Sequence, residues 1–168
     1  MKNLRADRIA TKDRGRCLVN SGGFTLLEII VTLAILSVLA GLAAIQYADY
    51  IEKARVVRAI VEIKDISQAL DAYNQEKGAY PPSLAEVGYA NMLDPWGSPY
   101  RYLNIQTATR GQRGSFRRDR FLVPINTDYD LYSIGKDHQS SSPLTAKPSQ
   151  DDVVRANNGG YIGLASQF

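Results

Sequence analysis

An α+β fold is predicted for this 168-residue chain: one long N-terminal helix, a membrane span in its first half and an amphipathic spine in its second, packed on a small antiparallel β-sheet. Three observations lead there. An uncharged apolar run from Ile29 to Ala48 is long enough to cross a bilayer. Beyond it an apolar stripe continues at steps of three and four as far as Tyr73. After Gly78, turn residues separate short segments rich in β-branched and aromatic side chains.

The first element is a basic arm. Residues 1–23 hold six basic and two acidic side chains, a net charge of +4, against −1 for the remaining 145 residues. The sequence pI near 9.0 therefore belongs to the arm, and the body of the chain has no basic surplus with which to bind nucleic acid. The arm also holds the single cysteine, Cys17, so neither a disulfide framework nor a cysteine-based zinc site can form within the chain. At 45% apolar and 22% charged residues, without an internal repeat, the sequence is neither disordered nor low-complexity.

The span comes next. After Glu28 the next charged residue is Asp49, which leaves 20 uncharged positions rich in Ile, Leu, Val and Ala. A secretory signal peptide has a shorter apolar run, about 7–15 residues, and usually no acid within it. Positive charge on the N-terminal flank keeps that end in the cytoplasm and sends the rest across. Glu28 is the anomaly, because an ionised carboxylate at the head of a membrane helix is costly. It calls for a partner in the bilayer, or it snorkels to the interface or is neutralised by protonation.

Past the span, Val56, Ile60, Ile63, Ile66, Leu70 and Tyr73 form one apolar stripe, with Arg55, Arg58, Glu62, Lys64, Asp65 and Asp71 assigned to the opposite faces. Gly78 followed by Pro81-Pro82 is a stop signal, so Phe24 to Lys77 is expected as one helix of about 54 residues. Tyr100 to Ile105, Phe121 to Ile125 and Tyr129 to Ile134 read as strands of a three- or four-stranded antiparallel sheet. Between helix and sheet, Asp94-Pro95-Trp96-Gly97 reads as a tight turn with a buried tryptophan. Only 90 residues follow Gly78, so the core is small.

Chemistry is sparse. His138 is the only histidine, too few for a multi-histidine metal site; no Ser-His-Asp triad is read around it, and no phosphate-cradling glycine motif occurs. An enzyme is not expected. Arg110, Arg113, Arg117, Arg118 and Arg120 crowd around Phe116, and are read as a solvated hairpin tip or a subunit contact in preference to a phosphate grip.

Two resemblances add to this. Gly22-Gly23-Phe24-Thr25-Leu26-Leu27-Glu28, behind a basic leader and ahead of an apolar run, resembles a type IV prepilin N-terminus. It implies that prepilin peptidase cuts after Gly23, that Phe24 becomes the methylated N-terminus, and that Glu28 pairs with the N-terminal amine of a neighbouring subunit in a helical fibre. Many family members carry a helix-kinking proline where this chain has Ile45, so a straighter helix is expected here. Asn74 to Pro81 (NQEKGAYP), Leu93 to Tyr102 (LDPWGSPYRY) and Asp130 to Gly135 (DLYSIG) are similar to the major pseudopilin of type II secretion systems.

The implied fold is type IV pilin-like, with a cleaved leader over 1–23, a long helix over 24–78 whose 24–48 part is transmembrane and fibre core, and a periplasmic sheet domain with a C-terminal loop over 79–168. The implied role is a structural subunit of a periplasmic pseudopilus that drives protein export. Its implied partners are copies of itself, other pseudopilins, prepilin peptidase and an inner-membrane assembly platform. A subunit of a type IV surface pilus, for adhesion, motility or DNA uptake, is the alternative, and the missing C-terminal disulfide favours the pseudopilin. A membrane-anchored periplasmic binding module is a third reading.

Small domains usually need a staple, and this one has no cysteine outside the arm. The resemblance implies calcium, bound in the C-terminal loop by Asp137, Asp151 and Asp152 with a backbone carbonyl such as that of Ile134. The chain departs from the family in the 13 residues, rich in Ser and Pro, that separate Asp137 from Asp151. Solvated acids in a flexible loop are the other reading.

Overall fold

A computed structural model describes residues 23–168. The expectations for the basic leader, Cys17 included, lie outside the described residues. The described residues fall into two units, 23–43 and Ala44–Phe168.

The helix, α1, runs over Leu26–Lys77, two residues shorter at its start than expected. The Thr25 hydroxyl accepts the Glu28 N–H at 3.2 Å and so caps the first turn. Ile45 is helical, as it should be with no proline there to remove a donor. At the other end Gly78 adopts φ +75° and donates its N–H to the Asn74 carbonyl at 2.8 Å, an αL stop that a side-chain-bearing residue would strain. In the first unit every described side chain is exposed, and the apolar stretch has a mean hydropathy of 2.5. A helix that is apolar all round and uncovered is suited to lipid or to a partner helix, not to water.

In the second unit the stripe is buried as its period requires. Ala59, Ile63, Ile66 and Leu70 are fully buried, Val56 and Ile60 pack at the margin, and Tyr73 is half-buried outside the cluster. One assignment is corrected. Glu62, placed by its spacing on an outer face, is buried, because Tyr100 donates its hydroxyl to Oε2 at 2.6 Å and Arg58 its Nε to Oε1 at 2.7 Å.

The sheet has four antiparallel strands in sequence order: β1 (Arg101–Asn104), β2 (Tyr129–Ser133), β3 (Val153–Ala156) and β4 (Tyr161–Leu164). Leu103 stands opposite Asp130, Tyr132 opposite Val154, and Val154 opposite Gly163. The expected strand from Phe121 to Ile125 does not form. Pro124 offers no ladder donor, Phe121 is 91% exposed, and the Ile125 N–H is spent on the Arg117 carbonyl at 3.0 Å. Its place in the sheet is taken by β3 and β4, which lie nearer the C-terminus than any expected strand.

Alternation along the strands builds two cores. Tyr129, Leu131 and Val153 join the helix stripe, with Tyr100 and Leu84. On the other face Val154 and Ala156 pack with Ile125, Leu144 and Ala165, and with Tyr132 and Tyr161 at the margin. Each fully buried aliphatic side chain contributes on the order of 1.5–3 kcal/mol, so both clusters matter in a domain of this size.

Candidate functional sites: the helix head and the C-terminal loop

At the helix head Gly23 and Phe24 are exposed and outside regular secondary structure, and Glu28 is exposed in the first turn of α1. A carboxylate there is favoured by the helix dipole, whose positive end it faces. Among the described residues no ion pair involves Glu28, and its neighbours Leu26, Leu27, Ile29 and Ile30 are exposed and apolar.

The expected turn at Asp94 is present, and Asp94 is its anchor. Oδ1 accepts the N–H groups of Trp96 at 3.0 Å and Ser98 at 2.8 Å, while Oδ2 accepts the Ser133 hydroxyl at 2.5 Å and ties the turn to β2. Trp96 is half-buried and donates Nε1 to Glu52 of α1 at 2.8 Å.

In the C-terminal loop two of the three acids meet. Asp151 Oδ2 accepts the Asp137 N–H at 2.9 Å, and Asp137 Oδ1 accepts the Gln139 N–H at 2.7 Å. Gly135, at φ +66°, makes the approach possible, since a Cβ there would lie 2.5 Å from the Asp151 carbonyl oxygen. Ile134 is buried directly before it.

Asp152 is differently engaged. Its Oδ2 accepts the Arg117 guanidinium and, at 2.6 Å, the Ser140 hydroxyl, while Oδ1 is buried with no partner among the described residues. Burial pushes the Asp152 carboxyl up to about 6, with Ser140 and Arg117 pulling the other way. Burial likewise raises Asp130, whose Oδ2 accepts the Arg117 N–H at 2.8 Å and whose Oδ1 accepts the Asn126 amide at 3.0 Å.

Arg117 overturns the reading of its loop as a solvated tip. It is 2% exposed; Nη1 donates to Ser140 Oγ at 2.6 Å and to the Ser141 carbonyl at 2.5 Å, and the guanidinium lies 4.3 Å from the centre of the Tyr132 ring. Arg110, Arg113, Arg118 and Arg120 are exposed, as expected. Sequence reasoning named Arg117 only as a loop arginine and missed its burial against Asp152 and Ser140, because arginine and serine are ordinary on surfaces. The only signal was a run of arginines in a domain with acids to compensate.

The donor set named for calcium is divided: Asp137 and Asp151 meet beside Ile134, while Asp152 is held by Arg117. Among the described residues no three acids converge to hold a metal ion, and a guanidinium already sits on the Asp152 carboxylate. Calcium takes about six to eight oxygens in a shell roughly 2.3–2.6 Å in radius. A divalent ion brought to the same carboxylate would meet the repulsion of that buried cation.

Comparison with known proteins decides the family. A profile of the prokaryotic N-terminal methylation motif matches residues 18–44. Type II secretion system core protein G of Pseudomonas aeruginosa is 34% identical over 136 residues, 68% of this chain and 83% of that protein. The chain belongs to the core protein G family. Core protein G of Klebsiella pneumoniae is also 34% identical over 136 residues, 68% of this chain and 96% of its own length. A fimbrial protein of Neisseria meningitidis is 33% identical over 84 residues, which cover 50% of this chain and 49% of that protein. No solved structure matches.

As a core protein G, the chain is a pseudopilin, a structural subunit of the pseudopilus in protein export and not an enzyme. The apolar half of α1 and the methylation motif anchor it in the inner membrane. The long helix on a small four-stranded sheet is the pilin-like α+β fold expected of such a subunit.

Proposed function

We propose that this pseudopilin is cut between Gly23 and Phe24 by prepilin peptidase, is methylated at Phe24, and then enters the fibre through a pairing of Glu28 with the N-terminal amine of a neighbouring copy. The carrying observation is Glu28 itself, the one acid in the first turn of a helix whose surrounding side chains are apolar and exposed. In lipid or in a dry fibre core a lone carboxylate is costly, and an ammonium brought by the next subunit offsets that cost. Insertion of new copies takes place at an inner-membrane assembly platform, with other pseudopilins as further partners.

Mass spectrometry of membrane-extracted protein should find methylated Phe24 at the N-terminus, and an intact leader in cells with active peptidase would sink the processing step. Glu28→Ala should still insert and be cut, since removing the acid eases transfer by roughly 2–3 kcal/mol at depth. It should form no fibre and support no secretion. Normal fibre yield from Glu28→Ala would contradict the pairing, and normal secretion without fibres would favour a membrane-anchored binding module.

A further inference from the structure

We propose that Arg117 is the internal cation of the C-terminal loop: it supplies from within the chain the positive charge that the family resemblance assigns to calcium, and the periplasmic domain folds without the metal. Arg117 lies between two buried carboxylates, Asp152 on its guanidinium and Asp130 on its backbone N–H. A fork of five donors suits that place, because one end grips a carboxylate while the other reaches a hydroxyl and a carbonyl. Here Nη2 serves Asp152, and Nη1 serves Ser140 and Ser141. A lysine has the charge but cannot span the three acceptors from one plane.

The contact also joins the two long loops. Arg118 and Leu144 exchange support through Arg118 N–H to the Ser142 carbonyl at 3.1 Å and Leu144 N–H to the Arg118 carbonyl at 2.9 Å. The Ser142 hydroxyl donates to the Gly114 carbonyl at 3.1 Å, and Ser149 closes the serine segment by accepting the Ser141 N–H and donating to its carbonyl at 2.8 and 2.7 Å. The arginine-rich segment and the 13-residue insertion between Asp137 and Asp151 are therefore halves of one strut. The same insertion that separates the acids carries Ser140 and Ser141, the groups that hold the guanidinium over Asp152. Loss of either partner leaves a buried charge uncompensated, so removing one of them costs far more than the pair as a whole contributes.

The test is thermal unfolding of the full processed chain, extracted in detergent and followed by the fluorescence of Trp96, the only tryptophan. Wild type should melt at the same temperature in roughly 1 mM calcium and in chelator, and equilibrium dialysis with labelled calcium should show no bound metal. Arg117→Met should melt about 10 °C lower in both conditions, and Arg117→Lys should fall between the two. If Arg117→Met does not accumulate, Arg117→Lys and the wild-type calcium titration decide the matter. Stoichiometric calcium binding to wild type with a rise of several degrees, not reproduced by magnesium, would overturn the proposal, as would wild-type melting of Arg117→Met.

Discussion

On one face of the sheet, α1 lays Ala59, Ile63, Ile66 and Leu70 against Tyr129, Leu131 and Val153. On the other, loop residues Ile125 and Leu144 cover Val154 and Ala156, and the guanidinium of Arg117 covers Tyr132. The two coverings differ in what they bring with them. A helix arrives with its backbone groups paired, so apolar contacts make most of the interface, and buried polar groups there, Glu62 with Tyr100 and Arg155 with Asp128 among them, meet side chain to side chain. A loop arrives with unpaired backbone donors and acceptors, and each must find a partner before it can be buried. That is why Asn126, Asp130, Ser149 and Asp152 are buried on the loop side. Asn126 alone donates to Asp130 and to the Arg155 carbonyl and accepts the Asn158 N–H.

If the loop-covered face depends on compensated charge, its largest single loss should come from Asp152→Ala, at about 4 kcal/mol by denaturant unfolding, because Arg117 is left buried and unpaired. The double change Arg117→Met with Asp152→Leu should recover most of that loss, since two apolar groups need no compensation; a double variant as weak as the single one would break the contrast. On the helix face Leu70→Ala should cost about 3 kcal/mol, the sum of lost transfer energy and a cavity, measured in the same titration. Also on the helix face, Tyr100→Phe removes one hydrogen bond to the buried Glu62 carboxylate and should cost about 1.5 kcal/mol. Smallest of all, Phe121→Ser at the exposed tip should change stability by less than about 0.5 kcal/mol, and a larger loss would mean that the tip packs where it is here exposed.

The same contrast governs what could be read in advance. Periodicity exposed the stripe from Val56 to Leu70, because a helix is held by contacts within a few residues and its buried face repeats at a fixed angle. Glu62 escaped, since its burial depends on Tyr100, 38 residues away. Phe121 to Ile125 has the composition of a strand, yet a strand needs a neighbour with free ladder groups, and Val153–Ala156 and Tyr161–Leu164 complete the sheet instead. The role of Asp94 was half legible, its turn from the local motif and its bond to Ser133 not at all.

By itself, then, the sequence determined what is local: the apolar span and its flanking charge, the helix with its glycine stop, the Gly23-Phe24 junction with Glu28 behind it, and the fold class these imply. Tertiary structure alone decided which loop residues are interior. Arg117 and Asp152 are 35 positions apart, and nothing in either one's neighbours distinguishes a guanidinium bound for a buried carboxylate from one bound for water. Burial of a charge is settled by the partner that meets it, and that meeting exists only once the sheet has brought the two loops onto the same face.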